Sequence, residues 1–264
     1  MSEKKPRVVA IIQARMGSSR LPGKTLADIS GKPLIGHVIE RTRASQTVDA
    51  IVLATTTEEI DKPLLEVAKQ YGAIAYAGSA NDVLDRYYQA AVLSKADVIV
   101  RVTADDPFKD PQVIDRVVNY LLDHAGLDYA SNTIEPTYPE GLDIEVFTFK
   151  ALQRAWNEAK LTSEREHVTP YIWKNPDKFN IFNVRYERDL SALRWTLDYE
   201  EDLRFTREVY ARLYHGQIFL MDEMLALLTR EPQLLEINQG KVRNAGYLLS
   251  LQQDAKEAKG DSQA

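Results

Sequence analysis

The sequence predicts an α/β fold with a mostly parallel central sheet and helices on both faces. Three observations lead there. Short apolar runs alternate with helix-length amphipathic segments from residue 8 to about residue 135, the first run is apolar at every position, and helix-stopping or helix-opening Gly and Pro residues fall at the segment ends. Val8-Val9-Ala10-Ile11-Ile12 has the composition of a strand buried on both faces. Leu34 to Ala44 reads as a helix with Leu34, Val38 and Ile39 on one side. Ile51 to Ala54 is a second strand, and Leu64 to Tyr71 a helix that stops at Gly72. Ile74 to Tyr76 gives a short strand, about Asp82 to Leu93 a helix, and Val98 to Val102 a fourth strand. Pro111 opens a helix to about Asp123, because a first turn has no use for the missing N–H. Asp128 to Ala130 begins another strand.

After Glu135 the rhythm changes. Pro136 to Gly141 is turn-rich, Ile144 to Phe149 extended, and helices follow near Ala151–Lys160 and Glu164–Lys174. Phe179 to Val184 is a strand and Tyr199 to Tyr214 an amphipathic helix. We read residues 1–251 as one domain, with about 136–190 as a smaller inserted region that acts as a lid or dimer contact. The small, charged stretch from Gln252 is expected to be disordered.

Composition narrows the function. The chain has 264 residues, is 44% hydrophobic and 27% charged, and carries a net charge of -6. That balance argues against a nucleic-acid-coating surface, which needs excess Lys and Arg to neutralise phosphates. No cysteine is present, so disulfides, thiolate nucleophiles and Cys-bearing zinc sites are excluded. The polar start and the lack of a bilayer-length apolar run lead us to expect a cytoplasmic protein without membrane contact.

The loop after the first strand, Gln13-Ala14-Arg15-Met16-Gly17-Ser18-Ser19-Arg20-Leu21-Pro22-Gly23-Lys24, lies where open parallel sheets bind ligands. Glycines let backbone N–H groups approach phosphate oxygens, and Arg15, Arg20 and Lys24 supply charge. The spacing is not that of a P-loop, since five residues separate Gly17 from Gly23 where four are needed. Val100-Arg101-Val102-Thr103-Ala104-Asp105-Asp106-Pro107 puts two acids at a strand's carboxyl end, where they either hold Mg²⁺ or open a turn. Arg194-Trp195-Thr196-Leu197-Asp198-Tyr199-Glu200-Glu201-Asp202-Leu203 enters a helix, so its acids are either ligands or caps.

The stretch Ile11 to Leu26 resembles the signature of the cytidylyltransferases that make CMP-activated sugar acids, closest to their spore-coat polysaccharide (SpsF-like) branch. The resemblance implies a Rossmann-like three-layer nucleotidyltransferase (GT-A-like) fold. It also implies Mg²⁺-dependent transfer of CMP from CTP to an acidic sugar, with release of pyrophosphate. It makes Ala14, Arg15, Ser18, Ser19, Arg20, Lys24, Ala54, Thr55, Asn81, Asp82 and Arg86 nucleotide contacts, and Asp105 and Asp198 metal ligands, with Asp106 and Asp202 as neighbours. Arg15, Lys24, Asp105 and Asp198 would carry the chemistry. The chain departs from the family pattern in having Ala104 where glycine is usual and Leu197 before the acid.

Tyr138-Pro139-Glu140-Gly141-Leu142-Asp143-Ile144-Glu145-Val146 and Ser163-Glu164-Arg165-Glu166-His167 resemble the same branch. Asp143 and Glu145 share one strand face, which either lines a polar crevice or is the solvated side of an edge strand. With Arg165, Glu166 and His167 they form the expected acceptor site; His167 is either a general base or a hydrogen-bonded structural residue. A phosphorylated small-molecule acceptor and a non-catalytic nucleotide-binding module are the alternatives. As in the family, a homodimer is expected.

Overall fold

The computed structural model describes residues 5–260 apart from Ser19. Its centre is β1 (Val8–Gln13), flanked by β4 (Ala50–Thr56) and β6 (Val98–Thr103), both parallel to it. β5 (Ile74–Gly78) continues the parallel sheet beyond β4. On the other side β8 (Glu145–Thr148) runs antiparallel between β6 and β7 (Tyr129–Ser131), and β9 (Ile181–Asn183) closes that edge, giving the order β5-β4-β1-β6-β8-β7-β9. The remaining strands, β2 (Asp28–Ile29) and β3 (Lys32–Pro33), form a small separate hairpin.

Strand alternation splits the core in two. Val8, Ala10 and Ile12 pack on one face against α1 (Leu34–Arg43), α2 (Lys62–Gln70), α4 (Pro111–Asp123), α8 (Glu200–Leu213) and α9 (Met221–Arg230). Val9 and Ile11 face α3 (Val83–Ser94), α5 (Phe149–Glu158) and α7 (Pro170–Trp173). Layers of helices on both faces explain why β1 tolerates no polar residue between Val8 and Ile12.

Two expectations change and one open alternative is decided. The helix expected over Glu164–Lys174 is two short pieces, α6 (Thr162–His167) and α7, because Val168 at φ 73° and ψ -55° makes a γ-turn closed by the Thr169 N–H on the His167 carbonyl at 2.9 Å. β8, carrying Glu145, lies inside the sheet and is no edge strand. Residues 252–260 of the stretch expected to be disordered continue α10 (Ala245–Gly260), whose Asp254 and Glu257 accept hydrogen bonds from Ser163 and Thr162 on α6, and residues 261–264 lie outside the described residues. Among the described residues, no helix is long and apolar enough to cross a membrane.

Candidate active site

A cavity of about 1200 Å³ opens at the carboxyl ends of β1 and β6, bounded by the first loop, the start of α3, β8, the α6–α7 turn and the first half of α10. This is the ligand crevice of an open α/β sheet.

The first loop is anchored from beneath. Met16 N–H donates to Asp61 at 2.6 Å, and the Thr25 hydroxyl donates to the Arg15 carbonyl at 2.9 Å. Gly23 takes the left-handed conformation at φ 75°, which turns Lys24 inward. The Lys24 ammonium then donates to Asp105 Oδ2 at 3.0 Å, Asp198 Oδ1 at 2.8 Å and the Leu197 carbonyl at 2.8 Å. Arg20 reaches the same Asp198 oxygen at 2.7 Å. Ser18 caps the loop by accepting from Leu21 N–H, and Arg15 lies exposed at the rim.

Three distant segments thus meet at one ammonium. Burial pushes Asp105 up, but the charge and hydrogen bond of Lys24 outweigh it and hold the carboxyl at about 2. Burial likewise opposes the charge on Lys24, and Asp105 with Asp198 overcomes it and raises the ammonium's pKa. Asp105 is therefore ionised at neutral pH. The neighbours of the two acids are not equivalent to them. Asp106 turns inward to the Thr103 hydroxyl at 2.6 Å and Lys109 at 2.8 Å, and burial raises its pKa. Asp202 is fully buried: it accepts the N–H groups of Asp198 and Tyr199 and pairs at 2.9 Å through both oxygens with Arg194. It caps α8 and braces Asp198 instead of facing the cavity. Ala104 is absent from the residues with positive φ, so alanine takes the place of the usual glycine without backbone strain. At Gly141 a side chain is excluded: φ is 104°, and a Cβ would lie 2.7 Å from the Trp195 backbone, where Glu140 pairs with the segment leading to Asp198.

Also lining the cavity, Glu145 is enclosed by Arg101, the Tyr129 hydroxyl at 2.7 Å and the Thr169 hydroxyl. The strained γ-turn at Val168 is what presents Thr169 to it. Asp143 pairs with Arg243 at 2.5 Å. Arg165 grips Asp82, which also caps α3 through Asp85 N–H. His167 Nε2 lies 3.0 Å from Ser250, whose hydroxyl donates to Glu166 at 2.5 Å. With that proton committed, His167 is the donor. Burial, then the Arg101 charge, hold its pKa at about 4, so it is neutral and its Nε2 is engaged in docking α10.

The expected residues therefore divide. Ala14, Arg15, Ser18, Arg20, Lys24, Asn81, Asp82, Arg86, Asp105, Asp143, Glu145, Arg165, Glu166, His167 and Asp198 all line the cavity. Ala54 and Thr55 do not: both are wholly buried in β4, with the Ala54 carbonyl accepting from Ala14 N–H at 3.1 Å. Ser19 lies outside the described residues. Sequence reasoning passed over Arg101, Arg194 and Tyr247. A charged residue inside an apolar strand was a usable signal for Arg101; nothing in the sequence pointed to Tyr247.

The sheet order and this lysine–carboxylate centre define a nucleotidyltransferase of the α/β class. Residues 9–229 match the cytidylyltransferase family model. The chain is 32% identical to the Bacillus subtilis spore coat polysaccharide biosynthesis protein SpsF over 85% of this chain and 95% of that protein. It is 37% identical to a 3-deoxy-manno-octulosonate cytidylyltransferase of Anaeromyxobacter over 52% of this chain and 54% of that one. Among solved structures, a cytidylyltransferase from Leptospira borgpetersenii superposes with a TM-score of 0.85 at 34% identity, covering 90% of this chain and 99% of the other. The protein belongs to the cytidylyltransferase family, and its activity is CTP-dependent nucleotidyl transfer.

Proposed function

We propose that the protein transfers CMP from CTP to a hydroxyl of an acidic sugar in surface polysaccharide biosynthesis. The observation that carries the reading is the convergence of Lys24, Asp105 and Asp198 at one end of a cavity large enough for a nucleotide and an acceptor together. The relatives SpsF and 3-deoxy-manno-octulosonate cytidylyltransferase support the pathway and acceptor class.

The acceptor oxygen attacks the α-phosphorus of CTP, an O–P bond forms, the bond to the β-phosphate oxygen breaks, and pyrophosphate leaves. The hydroxyl proton passes to solvent. Such a reaction asks the protein chiefly for positioning and charge compensation. Arg15, Arg20 and Lys24 supply positive charge for the triphosphate and the departing pyrophosphate. Asp105 and Asp198, joined through the Lys24 ammonium, suit Mg²⁺, which favours one or two carboxylates together with substrate phosphates. Among the described residues no three His, Asp or Glu side chains are grouped to hold a metal unaided. When bound there, Mg²⁺ supplies charge neutralisation at the phosphates and lowers the pKa of the attacking hydroxyl. Asp143, Glu145 and Arg165 shape the acceptor end, and two protomers pair in solution.

The test is pyrophosphate release with Mg²⁺, each of the four NTPs, and a panel of sugar acids and phosphorylated acids. CTP-selective release that depends on a sugar acid is expected. Asp105→Asn is expected to lose about 10²–10³ in turnover while keeping the wild-type circular dichroism spectrum. Near-wild-type turnover of a folded Asp105→Asn protein overturns the metal assignment, and release only with a phosphorylated acid overturns the acceptor class. A single 30 kDa species in light scattering at micromolar protein rejects the dimer.

A further inference from the structure

The helix α10 lies wholly beyond residues 9–229, the part shared with the family model, yet it forms one wall of the cavity. Its seat is specific. Ser250 bonds both His167 and Glu166, Asp254 accepts from Ser163 N–H at 3.0 Å, and Glu257 accepts from Thr162 at 2.9 Å. Tyr247 stands edge-on to His167 with ring centroids 5.1 Å apart and to Trp173 at 6.0 Å. Glu166 and His167 belong to the expected acceptor site, which makes α10 a wall of that site.

The chemistry of that wall is distinctive. The residues it turns to the cavity, Asn244 to Tyr247 with Leu249, Ser250 and Gln253, carry no charge. A phosphate-bearing acceptor calls for free cations on its surround, and of those that line the cavity beside this wall Arg101 is paired with Glu145 and Arg165 with Asp82, which leaves Lys160. An aromatic edge beside hydroxyl and amide groups suits instead the C–H and O–H surface of a polyhydroxylated carbon chain. Among the described residues, Tyr247 Oη, Ser163 Oγ and Asp254 Oδ2 are buried without a hydrogen-bond partner. Each such group gains a hydrogen bond where a ligand reaches it.

We propose that α10 is the acceptor-selecting wall, with Tyr247 the residue that reads the hydroxylated chain of the sugar acid distal to its reacting end. This rests on the acidic-sugar reading above. It assigns acceptor discrimination to a segment outside residues 9–229, the part that the family model matches.

The test compares wild type, Tyr247→Phe and Tyr247→Ala in the full chain, with 3-deoxy-manno-octulosonate (eight carbons), N-acetylneuraminate (nine-carbon backbone) and 3-phosphoglycerate as acceptors. CTP affinity is followed separately by calorimetry and folding by thermal melts. Tyr247→Phe removes only an oxygen that has no hydrogen-bond partner among the described residues, so its melting temperature is expected to match wild type while the KM for the preferred sugar acid rises about threefold to tenfold. Tyr247→Ala is expected to raise that KM at least tenfold and to change the eight- to nine-carbon ratio of kcat/KM, with the Kd for CTP within twofold of wild type. An unchanged acceptor KM and an unchanged ratio in folded variants overturn the role of α10 and leave the proposed reaction intact. Wild-type silence with both sugar acids beside turnover of 3-phosphoglycerate overturns the acceptor class itself, and so does silence with all three.

Discussion

Lys24 holds two neighbouring carboxylates together at the cavity, and the energy of that arrangement is measurable. Lys24 is 10% exposed and Asp105 30% exposed in their side chains. Burial acts against the Asp105 charge, yet Lys24 brings the carboxyl from its ordinary 3.8 to about 2. Fully shielded, that depression corresponds to about 2.5 kcal/mol. Solvent screening at a side chain this open reduces it to about 1–2 kcal/mol. A double-mutant cycle of Lys24→Met, Asp105→Asn and the pair, followed by urea unfolding at pH 7, isolates the coupling from the desolvation of either partner. A group whose pKa is depressed by folding stabilises fully above its unfolded value and loses this as pH falls toward its folded value. The coupling is therefore expected to be the same at pH 7 and pH 5, and to shrink below about 3.8. A coupling under about 0.3 kcal/mol at pH 7, or one already gone at pH 5, refutes the reasoning.

Other perturbations draw on the same geometry. Arg194→Met leaves Asp202, fully buried, without its bidentate partner and is expected to cost about 3–5 kcal/mol in urea unfolding; a loss below 1 kcal/mol contradicts the bracing role. Gly141→Ala forces a Cβ against the Trp195 backbone at positive φ, so a melting temperature several degrees lower is expected, and an unchanged one means the segment shifts freely. His167 has a pKa lowered by burial from 6.5 to about 4, so its contribution to stability is complete above about 6.5 and is lost as pH falls toward 4. His167→Asn is expected to flatten stability against pH by about 1–2 kcal/mol over that window, and identical slopes in the two proteins exclude the assignment.

Much of the scaffold was legible because its signals are local. A strand buried on two faces must be apolar throughout, so Val8 to Ile12 announced a central parallel strand, and Pro111 marked the first turn of α4 within a residue. The first loop was readable because its glycines and cations are contiguous. The features that stayed hidden depend on partners far away in the chain. Nothing around Glu145 says that Arg101, Tyr129 and Thr169 will enclose it, and a polar, charged stretch after Gln252 reads as disorder until α6 supplies the N–H and hydroxyl donors that seat it. The γ-turn at Val168 defies local preference, since a β-branched residue disfavours positive φ and only the surrounding packing holds it there.

The acids show most clearly where sequence stops and structure begins. Asp105 and Asp106 are chemically identical neighbours, and Asp198 and Asp202 stand one helical turn apart, so a motif alone ranks the members of each pair as near equals. In the fold each pair splits by partner. Asp105 and Asp198 meet the movable ammonium of Lys24 at the cavity, whereas Asp106 is tied to Lys109 and Thr103, and Asp202 to Arg194 and two backbone N–H groups. A ligand for substrate or metal has to keep oxygens that can exchange partners, and a brace has to have none to spare. By that criterion Asp105 and Asp198 are the pair that can work, and Asp106 and Asp202 are what keep them in place.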